Sequence, residues 1–283
     1  MDMFFFNYET HISFSAPVSD HAFTLRCLPP DDDTQHITDL KFALSPETPV
    51  TRCTDAFGNR MLIGSISAPH ESFSFRVSGL AGTPAGKENV NRGQAPAELP
   101  AVYGFYKYPS RLTRSGLAIR DLYQTFLREH PITAGAADVM TRADQILHFV
   151  YRHLQYVSGS TGSLTDAETA AAISQGVCQD YAQIMLALCR IERIPARYVA
   201  GMLVGEGESH AWVEVYDGYG WQGLDPTNEV ERCGIANGYI RLAHGRDSLD
   251  ASLSRGVFHG FTEQQQSVHV LVQEADRNER TKT

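Results

Sequence analysis

The strongest constraint in this sequence is a change of hydrophobic period at Pro195. Upstream of it, apolar residues recur at helical spacing. Ile119, Leu122, Tyr123, Phe126 and Leu127 form one stripe, which Pro131 stops. Val139, Ala143, Ile146, Leu147, Val150 and Leu154 form a second. Thr165-Asp166-Ala167-Glu168 is a capping-box pattern that opens a short helix, and Gly176 is the expected end of it. Tyr181, Ala182, Met185, Leu186 and Cys189 make the last stripe, on a helix that Cys178 opens. Downstream the period becomes two. Tyr198, Ala200 and Met202 read as a strand, Gly205–Gly207 as a loop, and His210 to Tyr216 as a second strand. Asp217-Gly218 is a hairpin signal, with Tyr219 to Asp225 returning. Helices followed by an antiparallel sheet predict an α+β domain.

Residues 1 to about 80 read differently. Tyr8, Thr10, Ile12 and Phe14 alternate with polar residues, as do Phe23-Leu25-Cys27, Leu40-Phe42-Leu44 and Phe73-Phe75-Val77. Short alternating strands separated by polar turns predict an antiparallel β-sandwich domain, with a scaffold or docking role. Residues 81–100 are rich in Gly, Pro and Ala and read as a linker or long loop. The α+β domain then occupies 101–275. Val268, Val270 and Val272 are its last strand, and 276–283 is a charged tail.

Composition excludes several classes. The 283 residues favour two domains, and 42% hydrophobic with 20% charged residues describes a water-soluble globular chain. A formal net charge of −9 argues against nucleic acid and anionic membranes as partners. There is no apolar run of membrane-spanning length. The N-terminal Met1-Asp2-Met3-Phe4-Phe5-Phe6 lacks the basic flank of a signal peptide. Five cysteines, an odd number, stand far apart at 27, 53, 178, 189 and 233. No C-x-x-C and no zinc-like Cys/His spacing occurs, so neither metal nor cofactor is expected. Free thiols fit a reducing compartment, and the cytoplasm is the expected location.

Chemistry gathers around Cys178. A thiol at a helix N-terminus faces unpaired N–H groups and the positive end of the dipole, and both favour thiolate. The hairpin supplies its partners. With a two-residue Asp217-Gly218 loop, opposed residue numbers add up to 435, which sets His210 directly across from Asp225. With a four-residue loop they add up to 437, and Asp225 shifts one diagonal step on the same face. In either register a carboxylate can fix one imidazole nitrogen and leave the other free to take a proton. Taken singly, each of these residues has an ordinary structural explanation: a buried thiol, an edge histidine, a turn aspartate before Pro226. Together they point to nucleophilic catalysis through a thioester.

Four blocks carry a family resemblance. Gly176-Val177-Cys178-Gln179-Asp180-Tyr181-Ala182, Ile194-Pro195-Ala196-Arg197-Tyr198-Val199, Ser209-His210-Ala211-Trp212-Val213-Glu214-Val215 and Leu224-Asp225-Pro226-Thr227-Asn228 closely resemble the bacterial transglutaminase-like cysteine protease superfamily. Leu25-Arg26-Cys27-Leu28-Pro29 and Asp55-Ala56-Phe57-Gly58-Asn59 are similar to the β-domain that precedes this core in many bacterial members. The resemblance implies a papain-like α+β core with Cys178 as nucleophile, His210 as base and Asp225 as orienting carboxylate, and it implies no metal. It also implies a second oxyanion donor upstream of the cysteine, for which Tyr156 is the candidate; a half-buried packing aromatic is the alternative. Gln179 is a candidate for lining the site, and Trp212 for walling the cleft, with core packing as the alternative. Asp180 is expected only as a first-turn partner of the helix dipole.

The expected function is hydrolysis of amide bonds in a peptide or protein substrate. Transamidation to an amine shares the same triad, and a non-catalytic peptide-binding member is the third possibility. Neither an amine-acceptor site nor a calcium loop is specified, which favours water as acceptor. Oligomeric state is left open.

Overall fold

The computed structural model describes residues 2–83, 101–131, 138–229 and 238–275. Strands β1 (Asp2–Leu25), β2 (His36–Ser45), β3 (Val50–Thr54), β4 (Arg60–Ile66) and β5 (His70–Thr83) come first. Helices α1 (Leu117–Glu129) and α2 (Val139–His153), strand β6 (Gln155–Tyr156), helix α3 (Ala167–Ile173) and strand β7 (Gln175–Gly176) lead to helix α4 (Cys178–Ile191). Then follow β8 (Ala196–Leu203), β9 (Gly205–Gly207), β10 (His210–Tyr216), β11 (Trp221–Leu224), β12 (Tyr239–Gly245), β13 (Ser254–His259) and β14 (Gln264–Glu274). Among the described residues no helix is long and apolar enough to cross a membrane. The expected linker lies, from 84 onward, outside the described residues, as does the charged tail.

Helix α4 is the centre of the α+β part. Every residue from Asp180 to Arg190 is buried, so it is covered on all sides. Helices α1, α2 and α3 pack around it, and the sheet β11-β10-β8-β12 covers another side. Ala196, Tyr198, Ala211, Val213 and Val215 face it in one apolar core with Ile184, Met185 and Leu188. Burying each such Leu, Ile or Val contributes about 1.5–3 kcal/mol.

Two local features differ from the sequence expectation. The α3 N-cap is Asp166, whose carboxylate accepts from Thr169 N–H at 2.8 Å. Glu168 does not turn back as a capping box requires. Its oxygens cap α1 instead, accepting from Ala118 and Ile119 N–H at 2.6 and 3.1 Å. A side chain on residue 116 would collide with that carboxylate, which explains Gly116. Helix α3 also ends before Gly176, at Ser174 in the left-handed conformation (φ 52°).

The N-terminal strands form one eight-stranded sheet, ordered β2-β5-β1-β14-β9, with β13, β4 and β3 attached beyond. The two strands expected at 8–14 and 23–27 are one long strand, β1. It pairs with β5 and β14 along its first half and with β4 and β13 along its second, with register shifts between Ser13 and Val18 and between Ser19 and Ala22. Such irregularities let a strand bend and change partners, so one sheet does what two packed sheets were expected to do. Strand β14, expected with the α+β part, pairs with β1 from Phe4↔Glu274 to Phe14↔Gln264. Gly205–Gly207, expected as a loop, pairs with β14 at Val270↔Gly207. The chain therefore returns to its own beginning.

The two sheets dock through side-chain amides. Strand β12 is an edge of the four-stranded sheet. Gln35 donates to the Arg241 carbonyl at 3.0 Å and accepts from the Arg241 N–H at 2.9 Å. Asn59 does the same at His244, at 2.7 and 2.9 Å. Two amides thus stand where another strand would, satisfying the edge. Asp55 orients Asn59 and ion-pairs with Arg26 at 2.7 Å, so both N-terminal motifs belong to one network. Met202, Ile240 and Leu242 join the core of the β-domain beside it. Asn59→Ala leaves the His244 groups unpaired and is expected to cost about 1–3 kcal/mol in urea denaturation. A loss below about 0.5 kcal/mol contradicts this docking role.

Candidate active site

Cys178 is the first residue of α4, and the preceding residue Val177 is extended (φ −114°, ψ −176°). Asp180 shapes that corner. Its carboxylate accepts from the Val177 N–H at 2.8 Å and from the Thr161 hydroxyl at 2.6 Å. Burial pushes the Asp180 carboxyl up, and those two bonds oppose the shift. A Cβ on residue 176 would come within 2.5 Å of Asp180 Cβ, so glycine is required two residues before the thiol. Asp180 is therefore a tether for the loop before α3 as well as a first-turn acid. Strands β6 and β7 pair in parallel, Tyr156↔Gly176, and carry the tyrosine to the cysteine.

The hairpin adopts the four-residue loop. Val213 pairs with Leu224 and Tyr216 with Trp221, so opposed numbers add up to 437 and not 435. Asp217 is the reason: its carboxylate accepts from Tyr219 and Gly220 N–H at 2.9 and 3.0 Å, while its own N–H bonds the Gly220 carbonyl. Asp225 is then diagonal to His210, on the same face. His210 Nε2 lies 2.7 Å from Asp225 Oδ2. The other imidazole nitrogen, Nδ1, is thereby left for a second partner.

Asp225 is fully buried and its oxygens are crowded with donors. Oδ2 accepts from His210, from Asn228 Nδ2 at 2.8 Å and from the Tyr239 hydroxyl at 2.8 Å. Oδ1 accepts from the N–H groups of Thr227 and Asn228 at 2.9 and 3.3 Å. Burial alone would raise its pKa, but the His210 hydrogen bond and charge and the remaining donors hold it below the ordinary carboxylate value. For His210, burial pulls downward, and hydrogen bonds with Asp225 and Cys178 together with their charges outweigh it, raising the pKa to about 10. Cys178 and His210 line one cleft, with Asp225 bonded to His210.

Tyr239 belongs to this group and has no counterpart in the sequence expectations. It opens β12, whose residues are almost all buried, so no alternating pattern marks it. Beyond its bond to Asp225, its ring meets Trp212 edge-on at 5.4 Å. Trp212 is 1% exposed and stacks behind His210 at 6.3 Å. It packs the imidazole from within and is not among the residues lining the cleft. Gln179 is not a lining residue either; its amide donates to the Gly162 carbonyl at 3.3 Å. Tyr156 does line the cleft and is 55% exposed. Burial and then the charges of Cys178 and Glu208 raise its hydroxyl pKa. The cleft, about 290 Å³, runs from Tyr156 and Cys178 to His210 along the 203–209 segment. Among the described residues no group of three or more His, Cys, Asp or Glu could hold a metal.

Comparison with known proteins bears on family and fold. The Transglutaminase-like superfamily profile matches residues 128–226, and the Bacterial transglutaminase-like N-terminal region matches 6–81. Residues 128–226 thus carry the core of the transglutaminase-like superfamily, and residues 6–81 the N-terminal region of its bacterial proteins. The fold is that of a Cytophaga hutchinsonii protein described as a candidate cysteine protease, with a TM-score of 0.76, 23% identity, and coverage of 98% of this chain and 92% of that one. An uncharacterized Mycobacterium leprae protein is 27% identical over 89% of this chain and 92% of its own length. An uncharacterized Mycobacterium tuberculosis protein is 30% identical over 49% of this chain, which spans 46% of that relative. Family membership supports a cysteine-dependent enzyme in general terms.

The His210–Asp225 pair makes stability depend on pH. A histidine whose folded pKa lies near 10 and whose unfolded value is near 6.5 stabilises fully below about 6.5, and that contribution is lost as pH rises toward 10. The stability advantage of the unsubstituted chain over Asp225→Asn should therefore shrink between those pH values. Denaturant titrations across pH 6–10 check it; a constant difference contradicts the pairing.

Proposed function

We propose that this chain hydrolyses amide bonds in peptide or protein substrates through a Cys178-His210-Asp225 triad and a thioester intermediate. The observation that carries the reading is the His210 imidazole, bound through Nε2 to a buried carboxylate and lining the same cleft as Cys178.

Chemistry follows from that arrangement. With His210 already protonated at neutral pH, Cys178 reacts as a thiolate beside the imidazolium, and the sulfur attacks the amide carbonyl carbon. The tetrahedral oxyanion is met by the Cys178 N–H, a helix-terminal donor without an intrahelical partner. The Tyr156 hydroxyl is the proposed second donor, from the facing wall of the cleft. The imidazolium then protonates the nitrogen, the amine leaves, and a thioester remains. A water molecule gives its proton to Nδ1 and attacks the thioester carbon. The carboxylic acid product leaves, and the thiolate is restored beside the imidazolium. Asp225 keeps the imidazole oriented and stabilises its charged form throughout.

The first test needs no known substrate. At pH 7, iodoacetamide should modify Cys178 before any of the other four cysteines, of which Cys27 and Cys189 are buried. His210→Ala should slow that reaction at least about tenfold. Equal labelling of all cysteines, or an unchanged rate in the variant, rules out the nucleophile assignment.

A further inference from the structure

Strand β9 ends the large sheet at the active-site cleft. In the order β2-β5-β1-β14-β9 it has β14 on one side and, among the described residues, no strand on the other. Gly205, Glu206 and Gly207 are exposed, and all three line the cleft that holds Cys178 and His210. In an edge strand, successive residues aim their backbone N–H and C=O alternately at the neighbour and away from it. Part of the β9 backbone therefore faces outward beside the nucleophile. Two of the three residues are glycines, and a Cβ at either would find open space, so that face of β9 is uncrowded.

Charge narrows what can approach. The cleft contains two acidic side chains, Glu206 and Glu208. Glu206 is held by His269 at 2.9 Å. Glu208 is exposed, has no ion pair among the described residues, and is close enough to Tyr156 across the cleft for its charge to act on the phenol.

Resting on the amide-hydrolase reading above, we propose that the substrate is an extended peptide segment. It adds to the outer edge of β9 as the next strand of the sheet and places a lysine or arginine side chain beside Glu208. Backbone pairing with β9 fixes depth and direction in the cleft, and the carboxylate selects the cation. The β-domain sheet then acts as one half of the substrate site, because β9 is held in place by β14, which is itself held by β1.

The proposal is tested on the full chain with peptidyl chloromethyl ketones, which transfer the peptidyl-methylene group to sulfur with loss of chloride. Three probes are compared: one with a lysine, its glutamate counterpart, and the lysine probe N-methylated at the backbone position meant to face β9. Adduct formation at Cys178 is followed by mass spectrometry, and each rate is divided by that of iodoacetamide, which has no side chain to be recognised. The lysine probe should react about fivefold faster than the glutamate probe, with Glu208→Gln removing most of that preference and Glu208→Lys reversing it. N-methylation should slow the lysine probe by about fivefold. Equal normalised rates for lysine and glutamate probes overturn the cation preference, and indifference to N-methylation overturns the strand pairing. Either result leaves Cys178 reactive toward iodoacetamide. Failure of the triad reading is different: no selective reaction of Cys178 with any reagent.

Discussion

The hydrogen-bonded pair of His210 and Asp225 is the interaction on which the rest of the site depends. A carboxylate without solvent exposure is costly unless its charge and lone pairs are matched. Here a histidine, a tyrosine hydroxyl, an asparagine amide and two backbone N–H groups match it. The donors come from β10, the turn after β11, and β12. The carboxylate thus ties together strands that meet at one end of the small sheet. Trp212 and Tyr239 close the inner side, so the imidazole has one open direction, toward the cleft.

The remaining architecture places the thiol in the same cleft. Helix α4 is immobilised by burial on every side, and its first turn is pinned by Asp180 to Val177 and to Thr161. The small sheet is in turn fixed by the β-domain, through Gln35 and Asn59 on the edge of β12 and through the apolar contacts of Met202, Ile240 and Leu242. The β-domain is therefore a structural partner of the site. It secures the far edge of the catalytic sheet, and it delivers β9 to the cleft wall.

Much of this was legible in the chain because period and register are strict. The stripes at 119–127, 139–154 and 181–189 emerge as α1, α2 and α4. His210 and Asp225 share a face in either register because a two-residue change of loop length preserves parity. The loop length itself was hidden, since Asp217 reaches its own backbone two and three residues on, a side-chain choice that competes with a tight Asp-Gly turn. Strand β12 was hidden for the opposite reason: with both faces covered it shows no alternation, and Tyr239 was missed with it. Glu168 kept its capping chemistry but spent it on another helix, a tertiary contact beyond the reach of local patterns. The long-range pairing of β14 with β1 has no local signal at all.

In the proposed mechanism an acyl group passes through the Cys178 sulfur. Its most direct test is to incubate the full chain with a mixture of peptide amides, quench in acid, and map adducts by peptide mass spectrometry. An acyl mass is expected on the peptide that contains Cys178, removable by hydroxylamine and absent from Cys178→Ser. Product formation that persists in Cys178→Ser, or acyl adducts confined to other cysteines, contradicts it.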